Sequence, residues 1–116
     1  MSGQRVLIAL RGNEVAWRFD QTAEALVCDI DASGAVTSRA EIIFARNSAE
    51  DLCEYVLAHN IGTVVAGAME EEYYHYLRWK RVDVIDNVAG ELGPVLDRLA
   101  GGRLSSGDIL FPQGEA

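Results

Sequence analysis

Arg18, Phe19 and Asp20 stand together in an irregular stretch. A guanidinium beside an aromatic ring can seat an anion, with Arg18 as the charged contact. The same three residues also read as a loop pin, with Phe19 turned into the core and Arg18 paired to Asp20 on the surface. Cys28 and Cys53 are the two thiols, and thiolates suit metal–sulfur chemistry. Their spacing points to packing instead. Cys28 alternates with Leu26 and Ile30 on one strand face, and Cys53 falls on the apolar face of a helix, where free cysteine behaves as a small hydrophobe. Glu72 and His75 form a Glu-x-x-His pair. A di-iron bundle needs that pair twice, with two further carboxylates. Here it occurs once, on a stripe shared with Trp79, and reads as a solvated face. His59, near a helix end, reads as a cap or dipole partner. Glu70, Glu71 and Glu72 make either a cation patch or favourable charge at a helix start, and the second needs fewer assumptions. Trp17, Tyr74 and Trp79 suit either an aromatic contact surface for a protein or partial burial over the sheet.

Several chemistries lack their residues. There is no Walker loop, Rossmann glycine fingerprint or nucleophile elbow. A two-metal nuclease places an acid on its opening strand, and residues 6–10 contain none. No catalytic constellation is visible, so the chain is expected not to be an enzyme. Ten basic residues against eighteen acidic ones give a net charge of -8. That balance opposes binding to nucleic acid or to an anionic membrane and tolerates a basic protein partner. Two cysteines make no disulfide framework. The apolar run at 6–10 is too short for a secretory signal or a membrane span. A reduced, cytoplasmic protein is expected.

The elements that must position these groups follow from periodicity. Residues 6–10 form a continuous apolar run, as in a central strand covered on both faces. Arg11, Gly12 and Asn13 break it. A hairpin follows, with strands over 25–30 and 36–44 and a tight turn at 31–34. Ser48 is placed as a helix N-cap, and Ala49, Leu52, Cys53, Val56 and Leu57 share one helical face. Asn60 and Gly62 end that helix, and a short buried strand runs over 63–66. A second helix is predicted over 70–79, with Met69, Tyr73, Tyr76, Leu77 and Lys80 on one face, then a strand over 82–86. A third helix spans 91–100, with Leu92, Val95, Leu96 and Leu99 inward and Gly101 and Gly102 stopping it.

The order β, β, β, α, β, α, β, α implies an α/β fold with a mixed five-stranded sheet and flanking helices. The expected organisation is one domain over 1–104 and a C-terminal tail over 105–116, with 109–111 packing down. Ligands of such sheets sit beyond the carboxyl ends of parallel strands. If the first, fourth and fifth strands are neighbours, three loops meet there. The candidate ligand-binding residues are therefore Arg11, Asn13, Arg18, Phe19 and Asp20 from the first loop, Gly67, Met69 and Glu70 from the second, and Asn87 and Gly90 from the third.

The strand at 6–10 followed by Gly12, Val15, Arg18, Phe19 and Asp20 resembles the opening of the dinitrogenase iron–molybdenum cofactor biosynthesis family. The hairpin at 26–42, the strands at 63–67 and 82–88, and the close at 100–104 extend the resemblance over roughly residues 5–104. It implies a ribonuclease-H-like fold. It also implies a nitrogen-fixation accessory that carries an iron–molybdenum or other metal–sulfur cluster, or a precursor, between donor and acceptor proteins. The chain departs from the family at particular places. Trp17 replaces the usual proline, and the first loop has neither histidine nor cysteine. The turn after the fourth strand reads Gly67, Ala68, Met69, Glu70, with carboxylates where bare amides would meet an anion. Those carboxylates oppose an anionic cluster. A cluster-free member with a protein-interaction or regulatory role is the alternative.

Overall fold

The computed structural model describes residues 3–111. The first strand, β1 (Gln4–Arg11), carries five consecutive buried residues, Val6 to Leu10. Its backbone turns at Gly12, which adopts φ +62°, and returns as β2 (Glu14–Val15), antiparallel to β1. A single 3-10 turn, Phe19–Gln21, follows. The hairpin is β3 (Glu24–Ile30) and β4 (Val36–Ile43). Asp31 closes its turn by accepting hydrogen bonds from the Ser33 and Ala35 amides, at 2.9 and 3.0 Å.

Helix α1 (Ala49–Ala58) begins where expected, with the Ser48 hydroxyl accepting from the Asp51 amide at 3.1 Å. Its C-cap is His59, whose ring stacks on Tyr55 at 3.8 Å. Next come β5 (Thr63–Val65), α2 (Glu71–Trp79) and β6 (Asp83–Ile85). The short β7 (Ala89–Gly90), α3 (Leu92–Ala100) and β8 (Ile109–Leu110) complete the described chain.

The main sheet runs β4-β3-β1-β5-β6, with β2 added to β1 as a sixth strand. β1, β5 and β6 are mutually parallel, and β3 is antiparallel to both of its neighbours. The hydrophobic core has two halves. On one face Leu7, Ala9 and Val64 pack with Leu52 and Val56 of α1 and Leu77 of α2. On the other, Val6, Ile8, Leu26 and Val65 pack with Val95, Leu96 and Leu99 of α3. A helix-covered sheet is why β1 reads as an unbroken apolar run.

The structure departs from the sequence expectations in three places. The sheet has six strands rather than five, because the sharp turn at Gly12 lets Glu14–Val15 fold back onto β1. Residue 70 stands outside α2 as its N-cap, and its side chain makes no capping bond. Of the segment read as a tail, Ile109–Leu110 pair in parallel with Ala89–Gly90. Leu104 and Leu110 pack against the α3-side core, whereas Ile109 and Phe111 are exposed. Residues 112–116 lie outside those described. Among the described residues no helix is long and apolar enough to cross a membrane.

Candidate functional site

Because β1, β5 and β6 are adjacent and parallel, their carboxyl ends share one edge of the sheet. The three loops meet there through backbone hydrogen bonds. The Ala68 amide donates to the Trp17 carbonyl at 2.7 Å, and the Phe19 amide donates to the Ala68 carbonyl at 2.9 Å. The Asn87 amide donates to the Gly67 carbonyl at 2.8 Å, and the Leu92 amide to the Asn13 carbonyl at 2.8 Å. Gly67 is required by this approach, since a Cβ there would collide with the carbonyl oxygens of Ala16 and Trp17.

Phe19 is fully buried beneath the loop, its ring 6.3 Å from that of Tyr73. With Phe19 anchored, Arg18 and Asp20 are held at the surface. The guanidinium grips the carboxylate twice, Nε to Oδ1 at 3.0 Å and Nη2 to Oδ2 at 2.9 Å. That hydrogen-bonded pair holds the Asp20 carboxyl below the usual carboxylate range. The surface pairing anticipated for this loop is therefore present, and it engages part of the Arg18 guanidinium.

An open cleft of about 450 Å³ lies beside this loop, where β1 ends and β3 begins. Arg11, Trp17, Arg18, Gln21, Glu24 and Asn47 line it. Two guanidiniums, one carboxylate and two amides can bind a small anion of mixed hydrogen-bonding character. Trp17 is 71% exposed at its wall. Asp20 faces an adjoining hollow with Arg46, Asn47 and Ser48 at the start of α1.

Of the candidates read from sequence, Arg11 and Arg18 share the cleft. Phe19 and Gly67 support it from below. Met69 is half-buried against the α1–α2 side of the core. Glu70 occupies the N-cap position of α2, and its charge adds a minor contribution to that of Asp20, the main partner, in favouring the charged form of Arg18. Asn13 contributes its carbonyl to the start of α3. Asn87 turns the chain at φ +57°, and Gly90, at φ +150°, makes room for the Leu110 carbonyl. These last three brace the edge and do not line the cleft. Gln21, Glu24 and Asn47 were missed. Glu24 reaches the cleft because it pairs with Leu10 across the β1–β3 ladder, a register that no local pattern announces.

The cysteines lie on opposite faces of the sheet, Cys28 in the α3-side core and Cys53 in the α1-side core. They cannot share one cluster. Burial pushes both thiols up, that of Cys53 to about 11. At pH 8 the folded protein should therefore react with iodoacetamide orders of magnitude more slowly than the unfolded chain, because the thiolate is the nucleophile. Mass spectrometry of timed alkylation checks this, and comparable rates would refute it. Among the described residues no three His, Cys, Asp or Glu side chains are placed to hold a metal ion together. Glu72 and His75 are both exposed on α2.

No family model and no curated protein matches the chain. Solved structures do. PH0822 superposes with a TM-score of 0.79 at 19% identity, covering 88% of this chain and 93% of that one. The fold is shared. A protein of Methanococcus jannaschii, MJ0327, described as a "putative dinitrogenase", matches in its NMR structure with a TM-score of 0.74 at 20% identity, over 91% of this chain and 94% of that one. The crystal structure of MJ0327 gives 0.72 at 19% identity, over 90% and 95%. Identities this low carry the architecture and leave the activity to be argued from the site.

Proposed function

We propose that this chain is a small, non-catalytic binding or carrier protein of the dinitrogenase iron–molybdenum cofactor biosynthesis type, working in the cytoplasm. Its cargo is a metal–sulfur cluster or precursor, passed between a donor and an acceptor protein without nucleic acid or membrane. The strand order β4-β3-β1-β5-β6, with β3 antiparallel, supports a ribonuclease-H-like reading of the fold. The observation that carries the proposal is the cleft bearing Arg11 and Arg18 at the carboxyl edge of the sheet, where such folds place ligands. The Arg11 and Arg18 guanidiniums there suit contact with the outer sulfur or oxygen atoms of an anion. They offer no thiolate or imidazole for direct coordination.

The test uses tetrathiomolybdate, a small molybdenum–sulfur anion, titrated anaerobically into the protein with tryptophan fluorescence as readout. Trp17 lines the cleft, whereas Trp79 closes α2. Saturable quenching is expected, abolished in Trp17→Phe. Arg11→Ala should weaken binding by about tenfold or more, as expected for a lost charge-assisted hydrogen bond. An absence of saturable binding favours the second reading, a cluster-free protein-interaction member. That reading draws on exposed Trp17 and on the carboxylates of Glu70, Glu71 and Glu72 near the same edge.

A further inference from the structure

β4 is an outer strand of the sheet, and among the described residues nothing pairs with its free side. A bare edge of this length is a template for another strand. Its backbone polarity is set by the β3 ladder. The Phe44 amide donates inward to the Ala23 carbonyl at 2.8 Å. In the regular part of the ladder, Ser38 to Ile43, alternation then turns the amides and carbonyls of Arg39, Glu41 and Ile43 outward. Thr37 lies at the irregularity opposite Asp29 and Ile30, which ends the regular edge.

We propose that β4 pairs antiparallel with β4 of a second copy of this chain, about a two-fold axis at Ala40. A symmetric antiparallel pair must place one residue opposite itself, and the charges on this strand select which. Centred on Ala40, Arg39 stands opposite Glu41 of the second copy, and Glu41 opposite Arg39. Each of these pairs also exchanges outward backbone hydrogen bonds, because both residues point outward. Centring on Glu41 or Arg39 instead sets like charges face to face, which is unfavourable in cross-strand pairs. The Arg39 and Glu41 side chains share one sheet face, since their β3 partners are Cys28 and Leu26 of the α3-side core. Both are exposed. On the same face Ile43, 81% exposed in the single chain, gains cover from the neighbouring strand. The pairing is confined to the regular stretch from Ser38 to Ile43, so a weak dimer is expected. It leaves the cleft at the carboxyl edge of β1 to act independently.

Sedimentation equilibrium from about 10 μM to 1 mM tests this. The wild type should rise toward twice the monomer mass. Arg39→Glu and Glu41→Arg, each alone, set like charges opposite one another and should weaken the dimer by at least about tenfold, given two symmetric pairs per interface. The double swap, Arg39→Glu with Glu41→Arg, restores opposite charges and should recover the dimer. That recovery also shows that the altered edge still folds. Ala40→Cys should form an interchain disulfide on mild air oxidation, because the axis brings the two copies of that position together. A wild type that stays monomeric at 1 mM overturns the proposal. So does a dimer indifferent to the single swaps, or a double swap that stays monomeric.

Discussion

Phe19→Ala should destabilise the protein by about 3–5 kcal/mol, the range for removing a fully buried aromatic side chain. Phe19 is one of the largest side chains with no solvent exposure. Its ring faces Tyr73 of α2. Tyr73 is in turn held by its hydroxyl, which donates to Glu50 of α1 at 2.9 Å and is pushed up to about 12 by that carboxylate. Deleting the ring leaves a cavity under the loop that bears Trp17 and Arg18. Urea unfolding should show a lower midpoint with an unchanged slope. Trp17 fluorescence should also respond less to an anionic ligand, because the loop loses its anchor. A loss below about 1 kcal/mol would mean that the loop is held by its backbone bonds alone.

Gly67→Ala should have the second largest effect, at or above the top of the roughly 1–3 kcal/mol range for overpacking. A methyl at this position meets the backbone oxygens of Ala16 and Trp17, which cannot swing aside as a flexible side chain would. Relief requires the first loop to withdraw from the second. That strains the bonds from the Ala68 amide to Trp17 and from the Phe19 amide to Ala68. The variant should therefore lose cleft binding together with stability. Gly93→Ala in α3 is the matched control. Nothing lies within 4 Å of a Cβ there, so the change should stabilise by about 0.4–1 kcal/mol through the unfolded chain. Thermal unfolding of both variants decides the matter, and equal melting temperatures would refute the steric argument.

Phe19 and Gly67 lie at the junction of the first two loops, where the sequence is informative only in part. Phe19 read from sequence either as a ligand contact or as a core anchor, and its full burial makes it an anchor. Gly67 read as a turn glycine, yet its requirement is not a turn. Its φ is not in the left-handed region, and the constraint comes from a strand-like bridge between Arg18 and Ala68, fifty residues apart. Cys28 and Cys53 show the opposite balance. Alternation and helical spacing already placed them in the core, and burial on opposite sheet faces agrees.

Features that depend on near neighbours were legible in the chain. The apolar run of β1, the Asp31 turn of the hairpin, the Ser48 cap of α1 and the inward faces of α1 and α3 follow from periodicity and capping chemistry. Strand order and register set the rest. Glu14–Val15 became a strand because Gly12 folded it onto β1. Glu24 joined Arg11 and Arg18 on one cleft because it sits opposite Leu10. Asn87 and Gly90, chemically plausible as ligand contacts, became braces because the left-handed turn at Asn87 and the pairing of β7 with β8 use them there. Periodicity reports which face of an element is buried. It carries no information about which elements lie side by side, and that adjacency makes the site.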